Sequence, residues 1–128
     1  MGRRILVIED NPDNRILITD VLTSLDYEVI VAVDGEEGVA RAKSEKPDLI
    51  LMDLQMPGMD GLETTRRIRN DASTAQIPIV ALTALTMPGD KERCMEAGVN
   101  AYLSKPISLQ ELHHTVTTYL TEVHSGHE

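Results

Sequence analysis

Five polar side chains, Glu9, Asp10, Asp53, Thr83 and Lys105, stand at or just past the ends of short apolar runs, the places where open α/β sheets bind their ligands. If the first and third runs are neighbouring strands, three of these groups are carboxylates converging in one crevice. Like charges that close raise each other's pKa or push the chain apart unless a cation joins them. The candidate ligands are all oxygens, with no Cys or His nearby in the sequence, and a few carboxylates with room for waters suit Mg²⁺ better than Ca²⁺; Mn²⁺ can substitute. An Asp at such a site, beside a fixed Lys and a hydroxyl, is equipped to accept a phosphoryl group as an aspartyl phosphate. Asp53 is the candidate nucleophile, Lys105 the cation that holds the equatorial oxygens alongside the metal, and Thr83 a hydrogen-bond donor. No separate base is needed, because a carboxylate is already ionised.

The elements that must position these groups are legible as apolar runs at 5–8, 29–33, 49–52, 79–82 and 101–103, alternating with segments of helical period. That is the pattern of parallel strands buried on both faces by crossover helices, and it makes the class α/β. In the first helix Leu17, Val21 and Leu25 with Ile18 and Leu22 form the apolar stripe, and Asn11 or Asp13 can cap its start. The second helix carries Gly38, Val39, Ala40 and Ala42 and is closed by Lys46-Pro47; the third carries Leu62, Thr65 and Ile68 after Asp60-Gly61. The fourth is expected to start near Pro88 and stop at Gly98, with Cys94, Met95 and Ala97 inward. Ser108 with Glu111 reads as a capping box for the fifth, whose apolar face is Leu109, Leu112, Val116, Leu120 and Val123. Strict alternation with right-handed crossovers predicts a doubly wound, flavodoxin-like (βα)5 sheet of order 2-1-3-4-5, with strands one and three flanking the switch point.

Length and charge narrow the function. The 128 residues, 41% of them hydrophobic, suffice for one core, so residues 1–128 are read as a single domain whose tail, 122–128, frays. Lys plus Arg is 12 against 21 for Asp plus Glu, and a net charge of -9 repels phosphate backbones and anionic lipid. Tyr27, Tyr102 and Tyr119 are the only aromatics, too few for base-stacking platforms. The lone Cys94 cannot form an internal disulfide, charge at Glu9 comes too soon for a signal peptide, and no apolar run approaches the roughly 20 residues of a membrane helix. A reducing, cytoplasmic location is the expectation.

The motifs carry a resemblance. Glu9-Asp10-Asn11, the run from Asp53 through Gln55-Met56-Pro57-Gly58 to Gly61, Leu82-Thr83-Ala84 and Ser104-Lys105-Pro106-Ile107 resemble, in order, the receiver domains of two-component response regulators, over residues 4 to about 121. The resemblance implies that Asp53 is phosphorylated by a histidine kinase or a histidine phosphotransfer protein. It further implies that Asp10, Asp53 and the backbone carbonyl of Gln55 hold Mg²⁺, with Glu9 behind them or bound through a water. Lys105 would contact the phosphoryl group, and the Lys105-Pro106 bond would be cis. Tyr102 would be the rotameric partner of Thr83, swinging inward when Thr83 turns to the phosphoryl group and reworking the face formed by helix four, strand five and helix five, through which a downstream protein binds.

Each of these residues also has a plainer reading. An Asp after a strand is commonly a helix cap, Glu9 a solvated strand end, Lys105 a surface lysine, and Thr83 a strand former; joint placement favours the site. Gly58 and Gly61 read as turn residues, Met56 and Met59 as loop packing, His113, His114, His124 and His127 as solvated, and Arg66, Arg67 and Arg69 as a solvated face. Gln55 and Leu85 occupy positions that vary in the family and resemble those tuning loss of the phosphate. The leading expectation is a stand-alone regulator similar to single-domain cell-division regulators of the DivK type, and Met1 with the tail leans toward a whole gene product. The alternative is the receiver module of a hybrid histidine kinase, relaying phosphate to a histidine phosphotransfer domain. An Asp-nucleophile phosphatase would place its nucleophile on strand one with a second Asp two positions on, a pattern absent here. The protein is expected to be a phosphorylation switch rather than an enzyme that turns over a substrate.

Overall fold

Parallel strands β1 (Arg4–Ile8), β2 (Glu28–Ala32), β3 (Leu49–Asp53), β4 (Ile79–Thr83) and β5 (Ala101–Ser104) alternate with helices α1 (Pro12–Ser24), α2 (Gly35–Glu45), α3 (Gly61–Arg69), α4 (Asp90–Ala97) and α5 (Leu109–Ser125). The computed structural model describes residues 3–54, 61–84 and 89–125, with side chains to residue 120. The sheet order is β2-β1-β3-β4-β5, the doubly wound order expected from the alternation. Register runs Val7 to Leu51 between β1 and β3 and Asp53 to Leu82 between β3 and β4. β1 and β3 are therefore neighbours, and their carboxyl ends open on the same edge.

Alternate strand residues feed two cores. Ile5, Val7, Leu51, Val80 and Leu82 pack on Ile18 and Leu22 of α1 and on Leu112, Val116 and Leu120 of α5. Leu6, Ile8, Ile50, Met52 and Ala81 pack on Ala42 of α2, Ile68 of α3 and Cys94 of α4. β1, β3 and β4 are buried along almost their whole length because helices cover both faces.

Local chemistry sets the helix ends. Asn11 caps α1, its side chain accepting from the N–H of Asn14 at 3.1 Å, with Pro12 in the first turn. Asp34 caps α2 through the N–H of Glu37 at 2.8 Å, and Glu37 returns a bond from the N–H of Val33 at 2.9 Å. Gly98, at φ 113°, ends α4 in the left-handed region. Ser108 accepts from the N–H of Glu111 at 3.3 Å, one half of the expected capping box.

Several expectations are corrected. β2 is an edge strand, not doubly buried, and Val31 and Val33 are 39% and 45% exposed. In α1 the buried residues are Ile18 and Leu22, while Leu17 faces solvent; Met95 of α4 and Leu109 of α5 do the same. α4 begins at Asp90 with Gly89 as its cap; Pro88 lies outside the described residues, as do Gln55, Met56, Gly58, Met59, Asp60 and Leu85. Arg69 is not part of a solvated face: it donates to the carbonyls of Gly98, Ala75 and Ile77 and to Asn100 Oδ1. Arg66 and Arg67 are exposed and pair with Glu63. Among the described residues no helix is long and apolar enough to cross a membrane.

Candidate functional site

At the carboxyl edge of the sheet, Glu9 and Asp10 follow β1 directly and Asp53 is the last residue of β3. One carboxylate oxygen from each lies within 4.8 Å of the others. Asp53 and Glu9 are buried and Asp10 is partly exposed, so the cluster opens to solvent on the Asp10 side. Lys105, just after β5, reaches across the end of β4 and its Nζ donates to Asp53 Oδ1 at 2.8 Å. The turn that carries Lys105 is tied back to the sheet, the Lys105 N–H donating to the carbonyl of Thr83 at 2.9 Å, and the Lys105-Pro106 bond is cis.

Thr83 ends β4 and is buried. Tyr102 sits beside it on β5, in register with Ala81, so both side chains leave the same face of the sheet. Tyr102 is half-buried against the core formed with α4, and the Lys91 ammonium lies 5.8 Å from its ring centre.

Electrostatically the cluster is short of positive charge. Burial, then contact with the Asp53 carboxylate, pushes the Glu9 carboxyl up to about 7; the N–H of Asn11, which donates to Oε2 at 3.1 Å, and the Lys105 ammonium pull the other way. Glu9 Oε1 is buried and finds no hydrogen-bond donor among the described residues. A buried acceptor of this kind is costly unless a proton or a cation meets it. Three hard carboxylate donors around an orphaned buried oxygen, with water access on one side, fit Mg²⁺, whose small radius tolerates few protein ligands and several waters.

The structure thus gathers Glu9, Asp10, Asp53 and Lys105, and sets Thr83 at the end of β4 with Tyr102 on the neighbouring strand β5. Gln55 lies outside the described residues. Two residues to which the sequence reading gave no part in the site also bear on it. Arg15 donates to the carbonyls of Glu9 and Asp10, and Gly61 packs its Cα against Leu54 and the carbonyl of Asp53 so closely that a Cβ would lie 2.6 Å from Leu54 Cα. Nothing in the spacing of Arg15 marks it; Gly61 was visible only as a turn residue.

Comparison with known proteins gives the same assignment throughout. The chain is 40% identical over 120 residues to the polar-differentiation response regulator DivK of Brucella anthropi, covering 94% of this chain and 98% of the relative. It is 40% identical to the receiver domain of the sensor histidine kinase PA1611 of Pseudomonas aeruginosa, over 94% of this chain and 99% of that one, with a TM-score of 0.87; that crystal structure holds magnesium in its active-site cleft. The receiver domain of Ssk1 from Saccharomyces cerevisiae, solved with the histidine phosphotransfer protein Ypd1, is 31% identical over 94% of this chain and 90% of that one, with a TM-score of 0.86. The family model for the response regulator receiver domain matches residues 5–117. A match that starts in β1 and ends in α5 takes in every element that bears a site residue, and the chain therefore belongs to the receiver domains of two-component response regulators.

Proposed function

We propose that this chain is a phosphorylation switch that accepts a phosphoryl group on Asp53 from the phosphohistidine of a histidine kinase or a histidine phosphotransfer protein. The observation that carries this reading is the pairing of a buried Asp53 with Lys105 at 2.8 Å inside a cluster of three carboxylates. Asp10, Asp53 and the backbone carbonyl of Gln55 would hold Mg²⁺, with Glu9 behind them or bound through a water, and an ion held there would supply charge neutralisation for the phosphoryl oxygens. A carboxylate oxygen of Asp53 attacks phosphorus, the P–N bond to the donor imidazole breaks, and its electron pair stays on the nitrogen. Lys105 moves its ammonium from Asp53 toward the phosphoryl oxygens, and Thr83 donates a hydrogen bond to one of them. Turning Thr83 away leaves room on the β4–β5 face for Tyr102, and the rearranged surface of α4, β5 and α5 binds the next protein. A free-energy coupling of about 1–3 kcal/mol is enough for such a switch.

The test is incubation with Mg²⁺ and a small acyl-phosphate donor, followed by intact mass, with Asp53→Asn in parallel. One added phosphoryl group on the wild type and none on the variant, nor on the wild type in EDTA, is the expected result. Modification of both proteins would move the acceptor elsewhere.

A further inference from the structure

The turn that carries Glu9 and Asp10 leaves the sheet at Ile8, and beyond that point, among the described residues, only the Glu9 N–H, which donates to the carbonyl of Ala32 at 3.0 Å, continues the strand ladder. The next two carbonyls have no place in it. A single guanidinium nitrogen, Nη1 of Arg15, donates to both, at 2.9 Å to Glu9 and 3.2 Å to Asp10. Arg15 is half-buried in the first turns of α1, and its own N–H donates to the carbonyl of Asn11 at 2.9 Å. The short Glu9-Asp10-Asn11 segment is thereby tied at both ends to one residue: from outside by a charged side chain, and from within by the helix that Asn11 caps.

We propose that Arg15 is a positioning residue for the metal site: by fixing the Glu9 and Asp10 carbonyls it sets the peptide planes that aim the Asp10 and Glu9 carboxylates at the cation. This rests on the Mg²⁺ reading given above. Rotation of the Asp10-Asn11 peptide plane would swing the Asp10 side chain, and outer partners that orient metal ligands are worth about 10–100-fold in metal affinity. The competing account is that Arg15 is merely a positive charge near an acidic cluster. The two differ in sign. A neighbouring cation opposes a bound dication, so removing its charge alone tightens Mg²⁺; removing the hydrogen bonds that hold the turn weakens it.

Mg²⁺ titrations of ¹⁵N-labelled wild type, Arg15→Met and Arg15→Lys, followed by amide chemical shifts, decide between them. Met keeps the apolar stem without donors, and Lys keeps the charge on a side chain that cannot span both carbonyls in the same geometry. Arg15→Met is expected to bind Mg²⁺ about tenfold more weakly, with Arg15→Lys between it and the wild type. In EDTA the Asn11 amide, which donates to Glu9, is expected to exchange its hydrogen faster in both variants. Unchanged or tighter Mg²⁺ binding by Arg15→Met, or wild-type affinity in Arg15→Lys, overturns the proposal while leaving the metal site standing. Absence of any Mg²⁺-dependent shift in the wild type overturns the metal reading itself and this inference with it.

Discussion

Glu9 is the residue whose state depends most on what occupies the site. Folded, its carboxyl titrates at about 7 rather than 4.5, because burial and the neighbouring Asp53 both disfavour the anion. Between those values the unfolded chain releases a proton that the folded chain keeps, so the contribution of Glu9 to the stability of the metal-free protein is fully present below 4.5 and is lost as pH rises through about 7. Thermal unfolding in EDTA should therefore show a midpoint that falls between about pH 5 and pH 8. Glu9→Gln, uncharged at every pH, should flatten that slope and exceed the wild type at the alkaline end. Mg²⁺ added at the alkaline end should stabilise the wild type and do less for the variant, which keeps Asp10 and Asp53 but lacks the ionised carboxylate behind them. A wild-type midpoint that rises with pH in EDTA would contradict the buried, cation-poor cluster described here.

At the scale of elements, the start of α3 is what keeps β3 and its Asp53 in place. Gly61 is buried, and a Cβ there would fall 2.5 Å from Leu54 Cδ2 and 2.6 Å from Leu54 Cα. The backbone atom cannot move aside without moving the end of β3. Gly61→Ala should cost about 1–3 kcal/mol in urea unfolding, whereas at Gly38 in α2 an added Cβ meets the side chain of Ile8, nearest at its terminal Cδ1, and Gly38→Ala should cost less. The contrast between these glycines also shows where sequence stops informing. Apolar runs and caps gave the strands, their order and most helix ends, because period and terminal hydrogen bonding are local properties. Which side of an apolar helix faces in is not local: α1 offers both Leu17 and Ile18, and only the tilt of the helix on the sheet buries the second. The acidic cluster was legible because strand ends can be read from apolar runs and the switch point from their order. Arg15 was not, because its partners are backbone carbonyls, which carry no residue identity.

For the molecule as a whole, the chemistry lies on one edge of the sheet and a second polar network on the other. Arg69, half-buried and, among the described residues, in no ion pair with a carboxylate, donates to the carbonyls of Ala75 and Ile77, which lie in the connection to β4, and to that of Gly98 at the end of α4. It also donates to Asn100 Oδ1 at 2.7 Å, which accepts from the N–H of Ile79 at 2.8 Å, while the Asn100 carbonyl accepts from Tyr119 of α5 at 3.0 Å. Burial pulls the guanidinium below its ordinary pKa, the mark of a cation held by dipoles rather than by a counter-charge. This network joins the amino ends of β4 and β5 to α3, α4 and α5, whereas Thr83 and Lys105 sit at the carboxyl ends of the same strands. Stability and chemistry should therefore separate. Arg69→Met leaves several acceptors unpaired and should lower unfolding free energy by about 2–4 kcal/mol, read as a shift of the urea midpoint at unchanged slope. Below that transition the variant should still take up one phosphoryl group on Asp53 at close to the wild-type rate. A variant of normal stability would show that the network is solvated in solution. A folded variant with slowed phosphoryl uptake would show that the two edges of β4 and β5 are mechanically joined, and that order at the amino ends of the strands sets the geometry at their carboxyl ends.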